Sequence, residues 1–189
     1  KSNLELSKCV LLPPSDRFLI NNIINKYIKI NNKIINIKNN FLSEYSSVYK
    51  IGIHIRGTGR IKHLGDLKCK EQIEFYYLQE ILNHIFEIKK NYVIIIFTDN
   101  KFSLNYFINI FKNIKYYNSN RTDDNIGEIH LKNKDIKTFE DILVETEIMS
   151  SMDYLIHGNS NITNYVLCKN PYLKSYDIYN KLYSKITKD

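Results

Sequence analysis

The residues best suited to chemistry stand in one run, His54-Ile55-Arg56-Gly57-Thr58-Gly59-Arg60. It brings an imidazole, two guanidinium groups and a glycine-rich backbone to one short stretch. Planar guanidinium forks match phosphate oxygens, and successive loop N–H groups form a nest for an anion. Gly57 and Gly59 open backbone conformations closed to other residues and let a ligand come close to the main chain. Two further places hold polar groups behind apolar runs, Thr98-Asp99 and Asn159-Ser160-Asn161. A plain glycine turn with surface arginines has the same composition as the first run, so its meaning depends on what positions it.

Three elements must do that positioning. Residues 48–56 alternate β-branched with small or polar side chains, the pattern of a strand that ends at the glycine run. Tyr92–Phe97 is continuously apolar and β-branched, as a strand covered on both faces is. Asp153–His157 is a further strand, followed by a turn at Gly158–Asn161. Helical spacing predicts helices from Ser15 or Asp16, which offer caps, over 71–89, over 102–112, from a Thr138 cap to Met152, over 162–169 and over 172–187. A short strand is expected at 114–117. The Asn/Lys-rich stretch 31–42 reads as a loop or weak helical extension, and 119–137 as irregular. Strands alternating with helices predict an α/β fold with a Rossmann-like parallel sheet and helices on both faces. In such sheets ligands bind beyond the carboxyl ends of the strands. His54/Arg56, Thr98/Asp99 and Asn159/Ser160/Asn161 all fall there, which points to a nucleotide or nucleotide-sugar site.

Composition narrows the choice less. The chain has 189 residues, 43% hydrophobic and 25% charged, long enough for a proper core and too apolar for disorder. Its net charge of +7 would favour phosphorylated ligands, nucleic acid or anionic surfaces, but the lysines are spread along the chain. Nucleic acid is therefore not the expected partner. Three cysteines, Cys9, Cys69 and Cys168, have no metal-type spacing and predict reduced thiols in a cytoplasmic or cytosol-like compartment. No apolar run reaches transmembrane length. Pro13-Pro14 divides a linker, 1–14, from one domain over 15–189.

The sequence resembles the carboxyl-terminal half of fucosyltransferases. The likeness rests on His54-Ile-Arg56, Phe97-Thr98-Asp99 and Glu145-x7-Asp153-Tyr-Leu-Ile-x3-Ser160-Asn161, and it spans roughly residues 48–168. The group includes core α1,6-fucosyltransferases, nodulation fucosyltransferases and protein O-fucosyltransferases. The resemblance implies a GT-B-like donor domain that binds GDP-fucose for inverting glycosyl transfer without a metal. It implies that Arg56 grips the β-phosphate within the Gly57-Thr58-Gly59 loop, that His54 lies at the nucleotide, and that Asp99 lies near ribose and base. Glu145 falls where an acidic residue reads the guanine edge; taken alone it is an ordinary helix carboxylate. Ser160, Asn161 and Thr163 would contact phosphate through hydroxyl, amide and helix N-terminal groups.

Departures from the group are informative. Core α1,6 enzymes have Arg-Arg-Thr-Asp where this chain has Arg56-Gly57-Thr58-Gly59, so one arginine and one acid are missing. Nodulation enzymes, with an Arg-x-Gly-x-Gly loop, are the nearer analogue. Asp66 falls in a loop where core enzymes keep an acid and, with Arg56, is the catalytic candidate. Members of the group need an amino-terminal acceptor domain, for which this sequence has no room. A non-catalytic basic module for nucleotide or anionic polymer is the alternative reading.

Overall fold

The computed structural model describes residues 11–55, 67–88, 91–122 and 135–178, with side chains from 75 onward in the second span. In chain order the elements are α1 (Pro14–Tyr27), α2 (Asn32–Ser43), β1 (Tyr49–Ile55), α3 (Leu67–Ile88), β2 (Tyr92–Thr98), α4 (Lys101–Ile110), β3 (Ile114–Lys115), α5 (Ile136–Met149), β4 (Tyr154–His157), α6 (Asn161–Lys169) and β5 (Lys174–Asp177). The strands form one parallel sheet in the order β3-β2-β1-β4-β5. The expected parallel trio, β2, β1 and β4, is its centre.

Pleating separates the two faces of that centre. Ile51, Ile53 and Ile55 of β1 join Ile94, Ile96 and Ile156 on one face, under Tyr77 and Ile81 of α3 and Leu104 and Phe107 of α4. Val93, Ile95, Phe97 and Leu155 point the other way, against Val144 and Ile148 of α5 and Val166 and Leu167 of α6. Ile34 of α2 is buried in the same cluster. Burial on both faces explains why Val93–Phe97 carries no polar residue. The chain winds outward through β2 and β3, then returns through α5 to the opposite side of β1. This reversal makes the gap between β1 and β4 the topological switch point, where such sheets open a crevice at their carboxyl edge.

Gly52 lies on the second face, in the middle of β1. A Cβ there would stand 2.7 Å from Met152 Cγ and 3.1 Å from Leu155 Cδ1. Met152 is flexible enough to yield, but only by disturbing a filled layer. Gly52→Ala should therefore cost about 1–3 kcal/mol of stability in urea denaturation. A variant as stable as the parent would show that the layer is loosely packed.

Four local expectations need correction. Residues 32–43 form a regular helix, because Asn31 Oδ1 accepts from Lys33 N at 2.8 Å and Ile34, Ile37 and Phe41 pack on the core. Tertiary burial outweighs the poor helix propensity of asparagine. Ser15 and Asp16 do not cap α1 but lie inside it; Pro13 is the N-cap and Pro14 opens the helix with its preset φ. Thr138 is likewise inside α5, whose N-cap is Asp135, with Thr138 N donating to Asp135 Oδ1 at 2.6 Å. Finally, Lys174–Asp177 is the edge strand β5 and not part of a terminal helix. Among the described residues it has one neighbouring strand, so it lacks the apolar run that marks β2. The rest of the expected terminal helix beyond residue 178 lies outside the described residues, as do residues 1–10 of the expected linker.

Candidate functional site

Register brings the polar ends together. Ile55 pairs with Thr98, and His54 pairs with His157, so β1, β2 and β4 end at one level. The expected site residues Arg56, Gly57, Thr58, Gly59 and Asp66 lie outside the described residues. His54, Thr98, Asp99, Glu145, Ser160, Asn161 and Thr163 lie within them.

At the switch point, His54 is buried and its Nδ1 lies 3.1 Å from Thr163 Oγ1. Its backbone carbonyl accepts from Tyr77 Oη at 2.7 Å, which fixes the end of β1 to α3. Ser160 is the N-cap of α6: Oγ accepts from Thr163 N at 3.0 Å and lies 2.9 Å from Thr163 Oγ1. Thr163 Oγ1 also donates to the Gly158 carbonyl at 3.1 Å. The hydroxyls of Ser160 and Thr163 are thus both engaged within the fold, where the resemblance had assigned them to phosphate. Asn161 stands exposed at the start of α6. His157 is fully buried, with Nδ1 3.1 Å from the Gly158 carbonyl. Burial depresses its pKa to about 4, so the ring is neutral at physiological pH.

A second cluster stands beyond β2. Arg121 Nε donates to the Thr98 carbonyl at 3.1 Å, Nη1 to Ser119 O at 3.0 Å and Nη2 to Tyr117 O at 2.7 Å. Nη2 also reaches Glu145 Oε1 at 3.2 Å, and Ser119 Oγ donates to the same oxygen at 2.7 Å. The Glu145 side chain is only 15% exposed and that of Arg121 only 4%. Asp99 follows directly, its carbonyl accepting from Thr122 N at 2.8 Å and Thr122 Oγ1 at 3.1 Å. Asn100 then caps α4 through Ser103 N at 3.0 Å.

Glu145 is therefore no solvated helix carboxylate. Burial raises its pKa to about 7, against the opposing pull of the Ser119 hydrogen bond and Arg121, while Asp141 and Asp99 push the same way as burial. A carboxyl whose folded pKa lies above its unfolded value of 4.5 holds its proton more tightly in the native state. Stability from this group is full below pH 4.5 and is lost as pH rises through 7. Glu145→Gln should thus be more stable than wild type at pH 8, by about 2 kcal/mol, and indistinguishable from it at pH 4. Thermal melts across that range check this. An equal pH slope in both proteins would show that Glu145 is solvated.

No family model and no curated protein sequence matches the chain. Solved structures do. Fucosyltransferase NodZ from Bradyrhizobium matches with a TM-score of 0.61 and 13% identity, covering 84% of this chain and 48% of that one. NodZ α1,6-fucosyltransferase co-crystallized with GDP matches with a TM-score of 0.56 and 12% identity over 77% of this chain and 43% of that one. NodZ soaked with GDP-fucose gives 0.56 and 14%, over 78% and 45%. The chain has a fucosyltransferase-like fold. It spans somewhat under half the length of these neighbours. At this identity the shared property is the fold.

Within this fucosyltransferase-like sheet, two contributors escaped the sequence reading. Arg121 lies in the segment expected to be irregular, yet it ties the end of β2 to α5. The signal was available in kind: an arginine just past a short strand, in a chain whose α5 carries an acid at Glu145. His157 ends a strand that the sequence did predict, but no spacing rule links it to Thr163. Among the described residues no cluster of His, Cys, Asp and Glu could hold a metal ion, and no helix is long and apolar enough to cross a membrane.

Proposed function

We propose that the chain is the donor-nucleotide domain of a glycosyltransferase that uses a GDP-sugar, with GDP-fucose as donor and inverting transfer without a metal. The observation that carries this reading is convergence on one edge. His54, Thr98–Asp99, the start of α6 and the Arg121–Glu145 pair all lie at the carboxyl ends of strands in a fucosyltransferase-like fold. In this reading Arg56 and the Gly57-Thr58-Gly59 loop hold the diphosphate. Negative charge builds on that group as the sugar departs, so a fixed guanidinium favours the transition state. An ionised Glu145 accepts from guanine N1–H and the exocyclic amine, a donor pair that adenine lacks; Oε1 already takes Ser119 and Arg121, so this contact requires the two of them to yield part of that oxygen. Asp99 serves ribose or base, and Asp66 is the acid available for acceptor deprotonation.

Calorimetry with GDP, ADP and UDP tests the reading. GDP should bind at least about tenfold more tightly than ADP, the yield of one good paired contact. Excess EDTA should leave that affinity unchanged. Binding abolished by EDTA and restored by Mn²⁺ would end the metal-independent account. Heparin or polyphosphate binding with no response to any nucleotide would instead identify a module for anionic polymers.

A further inference from the structure

The proton inventory around Thr163 has one arrangement that satisfies every partner. The Thr163 hydroxyl has one proton and two lone pairs, and three polar atoms lie within bonding distance. They are Gly158 O at 3.1 Å, Ser160 Oγ at 2.9 Å and His54 Nδ1 at 3.1 Å. A carbonyl cannot donate, so the Thr163 proton goes to Gly158. Ser160 Oγ and His54 Nδ1 must then both be donors. Ser160 meets this demand because its own lone pair takes the Thr163 N–H at 3.0 Å. The Gly158 carbonyl has a second lone pair, filled by His157 Nδ1–H at 3.1 Å. Two strand-paired histidines are thus joined through one hydroxyl and one carbonyl, each with its proton on Nδ1. Ser160 and His157 are buried, and Thr163 has no exposure at all, so water offers no competing arrangement.

We propose that Thr163 is a positioning residue that holds the neutral His54 ring in the Nδ1–H tautomer, with Nε2 then a hydrogen-bond acceptor. Free imidazole side chains favour the opposite tautomer, so the fold imposes a preference. Whatever meets Nε2 must be a donor. A base N–H or a sugar hydroxyl fits that requirement, and a phosphate oxygen does not. A ligand atom that meets the neutral ring at Nε2 therefore comes from the nucleoside or sugar end, and phosphate falls to arginine. This last step rests on the nucleotide reading above; the tautomer does not.

Long-range ¹H–¹⁵N spectra of the free protein, in mildly alkaline buffer, measure the tautomer directly. His54→Gln assigns the signals. Wild type should show a protonated Nδ1 and a pyridine-like Nε2 at His54. Thr163→Val should move the ring towards Nε2–H, and Thr163→Ser should keep Nδ1–H. In calorimetry, Thr163→Val should weaken GDP by about tenfold, the worth of one hydrogen bond, while Thr163→Ser stays close to wild type. An Nε2–H ring in wild type, or an unchanged tautomer in folded Thr163→Val, overturns the proposal. If Thr163→Val does not fold, a wild-type Nδ1–H ring that Thr163→Ser preserves upholds it, and an Nε2–H ring in Thr163→Ser overturns it. A tautomer that responds as expected in a protein with no affinity for GDP overturns the nucleotide reading and leaves the positioning role standing.

Discussion

Arg121→Ala is expected to lower stability by about 3–5 kcal/mol, the range seen when one member of a buried, hydrogen-bonded charge pair is removed. Three carbonyls, those of Thr98, Tyr117 and Ser119, would lose a donor at once. Glu145 would lose its only described cationic partner while keeping its buried position. Its pKa would climb further, so the defect should deepen as pH rises from 6 to 8. Arg121→Lys keeps a charge, but one ammonium cannot span three carbonyls and a carboxylate in the plane that a guanidinium occupies. It should recover less than half of the loss. Combining Arg121→Ala with Glu145→Gln should be milder than Arg121→Ala alone, because the amide needs no counter-charge. Urea denaturation followed by circular dichroism measures all three. A loss below 1 kcal/mol for Arg121→Ala would mean that the cluster is loosely held.

The second large effect concerns binding. Under the proposed function, Arg56→Ala should reduce GDP affinity about a hundredfold, as loss of a charge-assisted, bidentate phosphate contact does. Arg56→Lys should restore part of it, since the charge returns without the fork. Arg60→Ala should change affinity by less than about threefold, the size of an exposed ionic contact. Calorimetry on the three variants, with melts to confirm folding, separates these cases. Folded Arg56→Ala that binds GDP as wild type does would remove the phosphate role from the glycine run.

What the sequence disclosed follows from how each element is stabilised. β2 was legible because burial on both faces leaves no room for a polar residue. β1 was legible because its β-branched residues alternate with small or polar ones up to the glycine run. β5 was not, because an edge strand needs no apolar run, and Lys-Ser-Tyr-Asp carries no periodic signal. Helix α2 hid behind asparagines whose weak propensity is overcome by Ile34, Ile37 and Phe41 packing on the core. At the site, His54 and Ser160 could be named from their places after strands. The link between them could not, since Thr163 reaches His54 across more than a hundred residues only once β1 and β4 pair in register. Arg121 escaped for the same reason: its value comes from carbonyls that converge only after folding.

The central place of β1 also sets a schedule. Ile51 meets Ile94 early in the chain but must wait for Tyr154 to complete its other edge. During synthesis, β1, β2, β3 and the helices between them can collapse first, leaving one flank of β1 unpaired and the space beside Gly52 uncovered. Contacts so distant in sequence form slowly, because a long loop must close before they return any energy. An unpaired, isoleucine-rich strand edge is meanwhile a template for other chains. The link from His54 to Thr163 lies later still. The arrangement of polar groups at this edge is thus the product of the last stage of folding, and conditions that stall the nascent chain before β4 would yield sheet without the candidate site.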